Sequence, residues 1–112
     1  MSKPRIRHIA LNVQDRDATA EYYKKIFGVE EKYRGPNGTV YLSDGFVGIA
    51  LIHRPDLPWG INHFGFVVDD LEEARRRVER LGCSIHLEGD YDPGRRIYFF
   101  DPDGYEVELV AY

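Results

Sequence analysis

The sequence predicts an α+β protein made of two βαβββ modules, and three observations predict it. The chain repeats itself: "HIALNVQDRDATAEYYKKIFG" from residue 8 and "HFGFVVDDLEEARRRVERLG" from residue 63 are each a strand leading into a helix closed by glycine. A second correspondence follows in each half, "VYLSDGFVGIALI" against "IYFFDPDGYEVELV", two strands joined by an Asp-Gly turn. Between the halves, "HRPDLPWG" carries Pro55, Pro58 and Gly60, which break regular structure and mark a linker. Module one spans about residues 1–53, the linker about 54–60 and module two about 61–112, and a chain of 112 residues suits one domain with one modest core.

Each element has local signals. Asp15 or Asp17 can cap the first helix, Tyr22, Tyr23, Ile26 and Phe27 supply its buried face, and Gly28 ends it. In the second helix Asp70 and Glu73 read as a capping box, Leu71, Ala74, Val78 and Leu81 form the apolar stripe, and Gly82 is the stop. Strand side chains alternate faces, so parity sorts the sheet. One row is apolar throughout and belongs under the helices: Ile9, Leu11, Val13, then Val47, Ile49, Leu51, then Phe64, Phe66, Val68, then Tyr105, Val107, Leu109. The opposite row is mixed. It carries His8, Ala10 and Asn12, then Phe46, Gly48, Ala50 and Ile52, then His63, Gly65 and Val67, then Glu106, Glu108 and Val110, and on the preceding strand Arg96, Tyr98 and Phe100, which suits a face lining a cavity.

Both repeat-opening histidines and the glutamate pair fall on this mixed face. Two imidazoles and one carboxylate can form a facial triad around a divalent ion, leaving open positions for substrate or oxygen, and burying these groups without compensation is costly. Tyr98 shares the face and could orient or protonate a bound oxyanion, as a candidate catalytic residue. Arg96, which with Arg95 follows an Asp-Pro-Gly turn, has the parity to meet an acidic substrate or to screen Glu106. Trp59, in the linker, is a candidate to cap the cavity.

Composition narrows the function classes. With 43% hydrophobic and 30% charged residues the chain reads as soluble and globular, and its longest apolar run, "FVGIALI", is too short to span a bilayer. "MSKPRIRH" is not followed by the apolar stretch of a signal peptide, so the cytoplasm is the expected location. Cys83 is the single cysteine, which excludes an intrachain disulfide. A net charge of -4 argues against nucleic acid as the main partner, and "EEARRRVER" mixes its arginines with glutamates as a solvated helix face does.

The strand-opening His8, the stretch "INHFGFVVDDLEEA" with His63, and above all the ending "RIYFFDPDGYEVELV" resemble the vicinal oxygen chelate superfamily. That superfamily includes glyoxalase I, extradiol dioxygenases, fosfomycin-resistance transferases, epimerases and bleomycin-binding proteins. The resemblance covers nearly the whole chain. It implies two βαβββ modules forming a cup-shaped mixed sheet with helices on the outer face, around a divalent metal held by His8, His63 and Glu108. Glu108, directly before Leu109, matches the family's acidic position and Glu106 does not. Glyoxalase I and the epimerases take a fourth ligand from the last strand of module one; here Ile49 or Ala50 fills that slot, and neither can ligate. The resemblance therefore implies a dioxygenase-like or fosfomycin-transferase-like enzyme acting on a small molecule, with a glyoxalase or isomerase-type lyase and a non-catalytic drug- or metabolite-binding protein as alternatives. Fe(II) or Mn(II) suits the ligands best, and Zn(II), Ni(II) or Co(II) is compatible. Small members of such a family pair, so a homodimer is expected. Without metal, Glu108 reads as a buried unpaired charge whose removal leaves a folded and even more stable apo-protein.

Overall fold

The computed structural model describes residues 1–91 and 94–112, which form two compact units: residues 8–62, and residues 1–7 together with 63–112. The Asp-Pro-Gly turn expected before Arg95 falls partly on Asp92 and Pro93, outside the described residues. The 8–62 unit holds most of β1 (Arg5–Asn12), then α1 (Arg16–Phe27), β2 (Glu30–Arg34), β3 (Val40–Ser43) and β4 (Gly48–Ile52). Its strands lie in the order β2-β3-β4-β1, antiparallel except that β1 and β4 run parallel with His8 opposite Gly48 and Ala10 opposite Ala50. The second unit holds most of β5 (Gly60–Val67), then α2 (Leu71–Arg80), β6 (Ile85–Tyr91), β7 (Gly94–Phe100) and β8 (Glu106–Ala111). It repeats the plan as β5-β8-β7-β6, with β5 and β8 parallel and His63 opposite Glu106. The fold is α+β with mixed strand pairing, as the repeat predicts. Neither helix is long and apolar enough to cross a membrane.

The repeat extends to its turns and caps. Asp15 Oδ1 accepts from Ala18 N–H at 3.0 Å and Asp70 Oδ1 from Glu73 N–H at 3.0 Å, so each helix starts on an aspartate that satisfies a free backbone donor. Glu73's carboxylate turns to Arg76, at 2.9 Å, and to Arg77. Asp44 Oδ1 accepts from the amides of Phe46 and Val47 while Asp101 Oδ1 accepts from those of Asp103 and Tyr105, the same aspartate-led turn before β4 and before β8. Glycine follows within both turns because φ is +95° at Gly45 and +89° at Gly104, where a Cβ would be strained.

Each unit packs part of its apolar row under its own helix. In the first, Ala20 of α1 meets Val40, Leu42 and Leu51. In the second, Leu71 and Ala74 of α2 meet Val68, Ile97 and Leu109, with Val78, Phe66 and Phe99 partly buried around them.

Several expectations fail here, and one is Tyr105, assigned to the apolar row but 66% exposed. Tyr22, Ile26 and Phe27 are more than half exposed, because α1 approaches its sheet through small Ala20 and only Tyr23 of the aromatic set reaches the core. Leu81 is exposed because the helix closes there, with Gly82 N–H already bonded to Glu79 O, which leaves Val78 as the last member of the stripe. On β1 the polar row is the more deeply buried one: His8 and Asn12 are 3% and 1% exposed while Ile9 is 37% exposed.

Asn12 is buried because it holds the linker. Its Nδ2 donates to the carbonyls of Arg54 at 2.7 Å, Pro58 at 3.0 Å and Leu57 at 3.3 Å, and its Oδ1 accepts from Arg54 N–H at 2.7 Å. His53 Nδ1 lies 2.9 Å from Val13 O, which places it in the same junction. Trp59 is 46% exposed and stacks on His53, with ring centroids 5.9 Å apart.

Candidate metal centre

The second unit gathers the chemistry on one face of β5, β8 and β7. Ladder register places His63 opposite Glu106, Tyr98 opposite Glu108 and Phe100 opposite Glu106, and partners directly opposite share a face. Arg96, two residues before Tyr98, joins them. His86 reaches the same cluster through a register shift between Ile85 and Leu87, a local irregularity that parity counting could not foresee.

Glu108 is the centre of this cluster and is 1% exposed. Arg96 Nη1 donates to both of its oxygens, 3.1 Å from Oε1 and 3.1 Å from Oε2, and is itself buried. Tyr98 OH donates to Oε2 at 2.5 Å. His63 Nε2 stands 3.6 Å from the same oxygen, beyond hydrogen-bond length, and its ring meets Tyr98 edge-on at 5.7 Å. Burial, reinforced by the Glu108 carboxylate, pushes the Tyr98 hydroxyl well above the usual phenol range, so near neutral pH it is a protonated donor.

Glu106 has a different environment. His86 Nε2 lies 2.8 Å from its Oε2, His63 Nδ1 lies 3.8 Å from its Oε1, and its side chain is about a quarter exposed. His86 also stacks on Phe100 with centroids 4.4 Å apart. The expected screening of Glu106 by Arg96 is thus corrected: the guanidinium goes to Glu108, and an imidazole attends Glu106. Neither the Glu106–His86 pair nor the role of Asn12 was read from the sequence, since both depend on partners far away in the chain.

His8 lies on β1 opposite Gly48 and is buried. On its row Ala50 is the neighbouring β4 residue, so of the two candidates for the vacant fourth position Ala50 shares the histidine face and Ile49 belongs to the helix side. His63 and Glu108 stand together in the second unit as donors that could share a metal ion, and His8 belongs to the first.

The model of the Glyoxalase/Bleomycin resistance protein/Dioxygenase superfamily matches residues 5–109. The chain belongs to this superfamily. Metallothiol transferase FosB of Lysinibacillus sphaericus (strain C3-41) is 28% identical, over 97% of this chain and 83% of that protein. A probable lactoylglutathione lyase, chloroplastic, of Arabidopsis thaliana is 29% identical over 96% of this chain, and this chain spans 36% of its length. Among solved structures, methylmalonyl-CoA epimerase from Mycobacterium tuberculosis has the same fold, with a TM-score of 0.85 at 20% identity, over 96% of this chain and 87% of that one. The sequence relatives are named as a transferase and a lyase, so within the Glyoxalase/Bleomycin resistance protein/Dioxygenase superfamily this chain stands among enzymes.

Proposed function

We propose that the protein is a metal-dependent enzyme in which His8, His63 and Glu108 hold one divalent ion that chelates two oxygens of a small substrate. The observation that carries this is the 3.6 Å between His63 Nε2 and Glu108 Oε2. Donors bound about 2.0–2.2 Å from a shared ion stand on the order of 3.0–3.6 Å apart, so the pair needs little movement to ligate together. Imidazole and carboxylate donors suit Fe(II) or Mn(II) first, and Zn(II), Ni(II) or Co(II) next. An ion so held would act as a Lewis acid toward a developing oxyanion. Tyr98 contributes a protonated hydroxyl that steadies Glu108 or a substrate oxygen, while Arg96 and Trp59 belong to the binding surface. A three-ligand centre favours a dioxygenase-like or transferase-like reaction over a lyase, because Ala50 supplies no fourth ligand.

The second reading is a binder of a drug or metabolite without chemistry. The Arg96–Glu108 pair favours it, since the buried carboxylate is satisfied without metal. Metal analysis of protein purified without a histidine tag separates the two. One ion per chain, removed by a chelator, is the expected result; no metal after loading with each of the five ions overturns the enzyme proposal. We also propose a homodimer, which would shield exposed apolar side chains such as Tyr22, Ile26 and Phe27 on α1. Light scattering at micromolar concentration is expected to give twice the chain mass, and a monomeric mass removes the dimer.

A further inference from the structure

The carboxylate proposed as a metal ligand already has a cation. Arg96 Nη1 bridges both oxygens of Glu108 from within the protein, with 6% of the arginine exposed. A guanidinium keeps its charge at any ordinary pH, so this is a fixed positive group that proton loss cannot remove. A divalent ion taking Glu108 must either displace Arg96 or share the carboxylate with it. In both cases positive charge accumulates in a site where like charges are poorly screened. Glu106, a second carboxylate on this face, is engaged by His86 at 2.8 Å and partly solvated, so it is already committed. A ligand that brings negative oxygens restores the balance and gives Arg96 a new partner.

We propose that Arg96 competes with the metal for Glu108, so that the site holds its ion weakly alone and tightly together with an anionic oxygen chelator. This rests on the metal proposal above and deepens it: the charge of the incoming ligand, set against the buried Arg96, decides how tightly the ion is held. Arg96 is then a specificity-determining residue that links metal affinity to ligand charge.

Calorimetric titration with Mn(II) tests this without any assay of turnover. Three conditions are compared: Mn(II) alone, with methylphosphonate, and with neutral ethylene glycol, each corrected for binding of the ion by the additive in solution. Methylphosphonate is expected to tighten Mn(II) binding on the order of tenfold, the scale on which groups next to a ligand tune metal affinity, and ethylene glycol to leave it unchanged. In Arg96→Met, Mn(II) alone is expected to bind on the order of tenfold tighter than in the wild type, with the methylphosphonate effect lost. Arg96→Lys, which keeps the charge, is expected to retain the anion dependence. Should Arg96→Met fail to fold without metal, Arg96→Gln, which removes the charge and keeps a polar side chain, is titrated in its place with the same result expected. Mn(II) binding that is indifferent to methylphosphonate, or equal in wild type and Arg96→Met, overturns the role of Arg96 and leaves the metal proposal standing. A wild-type protein that takes up no Mn(II) in any of the three conditions overturns the role of Arg96, and the metal proposal falls with it only if Fe(II), Zn(II), Ni(II) and Co(II) are refused as well.

Discussion

Replacing Glu108 by alanine is expected to destabilise the metal-free protein by about 3–5 kcal/mol and to abolish metal binding. The stability loss follows from what remains behind. Arg96 is 6% exposed and Tyr98 OH points at the deleted carboxylate, so the variant leaves a buried cation and a buried hydroxyl without the acceptor they share. The sequence alone suggests the opposite sign, because a buried carboxylate read without its partner looks like a cost that mutation would relieve. Glu106→Ala serves as the control. Its carboxylate meets a one-third-exposed His86, and such pairs contribute about 0–1 kcal/mol, so stability should change little and metal affinity should stay within a few-fold. Urea denaturation and metal titration of the two variants check both statements. If Glu106→Ala loses the ion and Glu108→Ala keeps it, the ligand assignment is wrong by two residues.

The second large effect is expected far from the proposed metal. Asn12→Ala should cost about 2–4 kcal/mol, since the linker loses the donor to three carbonyls and the acceptor for Arg54 N–H, and that amide is left without its side-chain partner. Asn12→Asp discriminates between a polar residue and this particular amide. It keeps the acceptor but sets an anion against the oxygens of Arg54, Leu57 and Pro58, so it should be at least as damaging as alanine. Equilibrium unfolding of both variants measures this; an aspartate variant as stable as wild type would show that the amide donor contributes nothing.

The architecture was legible because it is local and doubled. Asp15 or Asp17 and then Asp70 announce the helix starts, Gly28 and Gly82 the ends, and the Asp-Gly turns recur at matching points, so one half checks the other. Parity also placed His63, Glu106, Glu108, Arg96 and Tyr98 on one face, since β5, β7 and β8 pair in register from His63 and Phe100 onward. What parity does not contain is the choice among neighbours on that face. Arg96 is opposite Val110 and diagonal to Glu108, and only side-chain reach decides that it bonds Glu108. His86 meets Glu106 through an irregularity in β6 that breaks the period-two count. Tyr22, Ile26 and Phe27 were misjudged for a related reason: helical periodicity reports which residues share a face, whereas Ala20 determines which face lies against the sheet.

The parallel pairing of β5 with β8 has a consequence in time. His63 finds Glu106 across nearly the whole length of its unit, while α2, the β6–β7 hairpin and the β7–β8 hairpin all join segments close in sequence. Closing the longest loop costs the most chain entropy, so β5–β8 docking is expected to be the slow step of the unit, as stopped-flow refolding of a β5–β8 core variant would measure. The His63–Glu108 donor pair does not exist before that step. An ion or ligand that needs both donors is therefore expected to slow the opening of the finished protein without hastening its assembly.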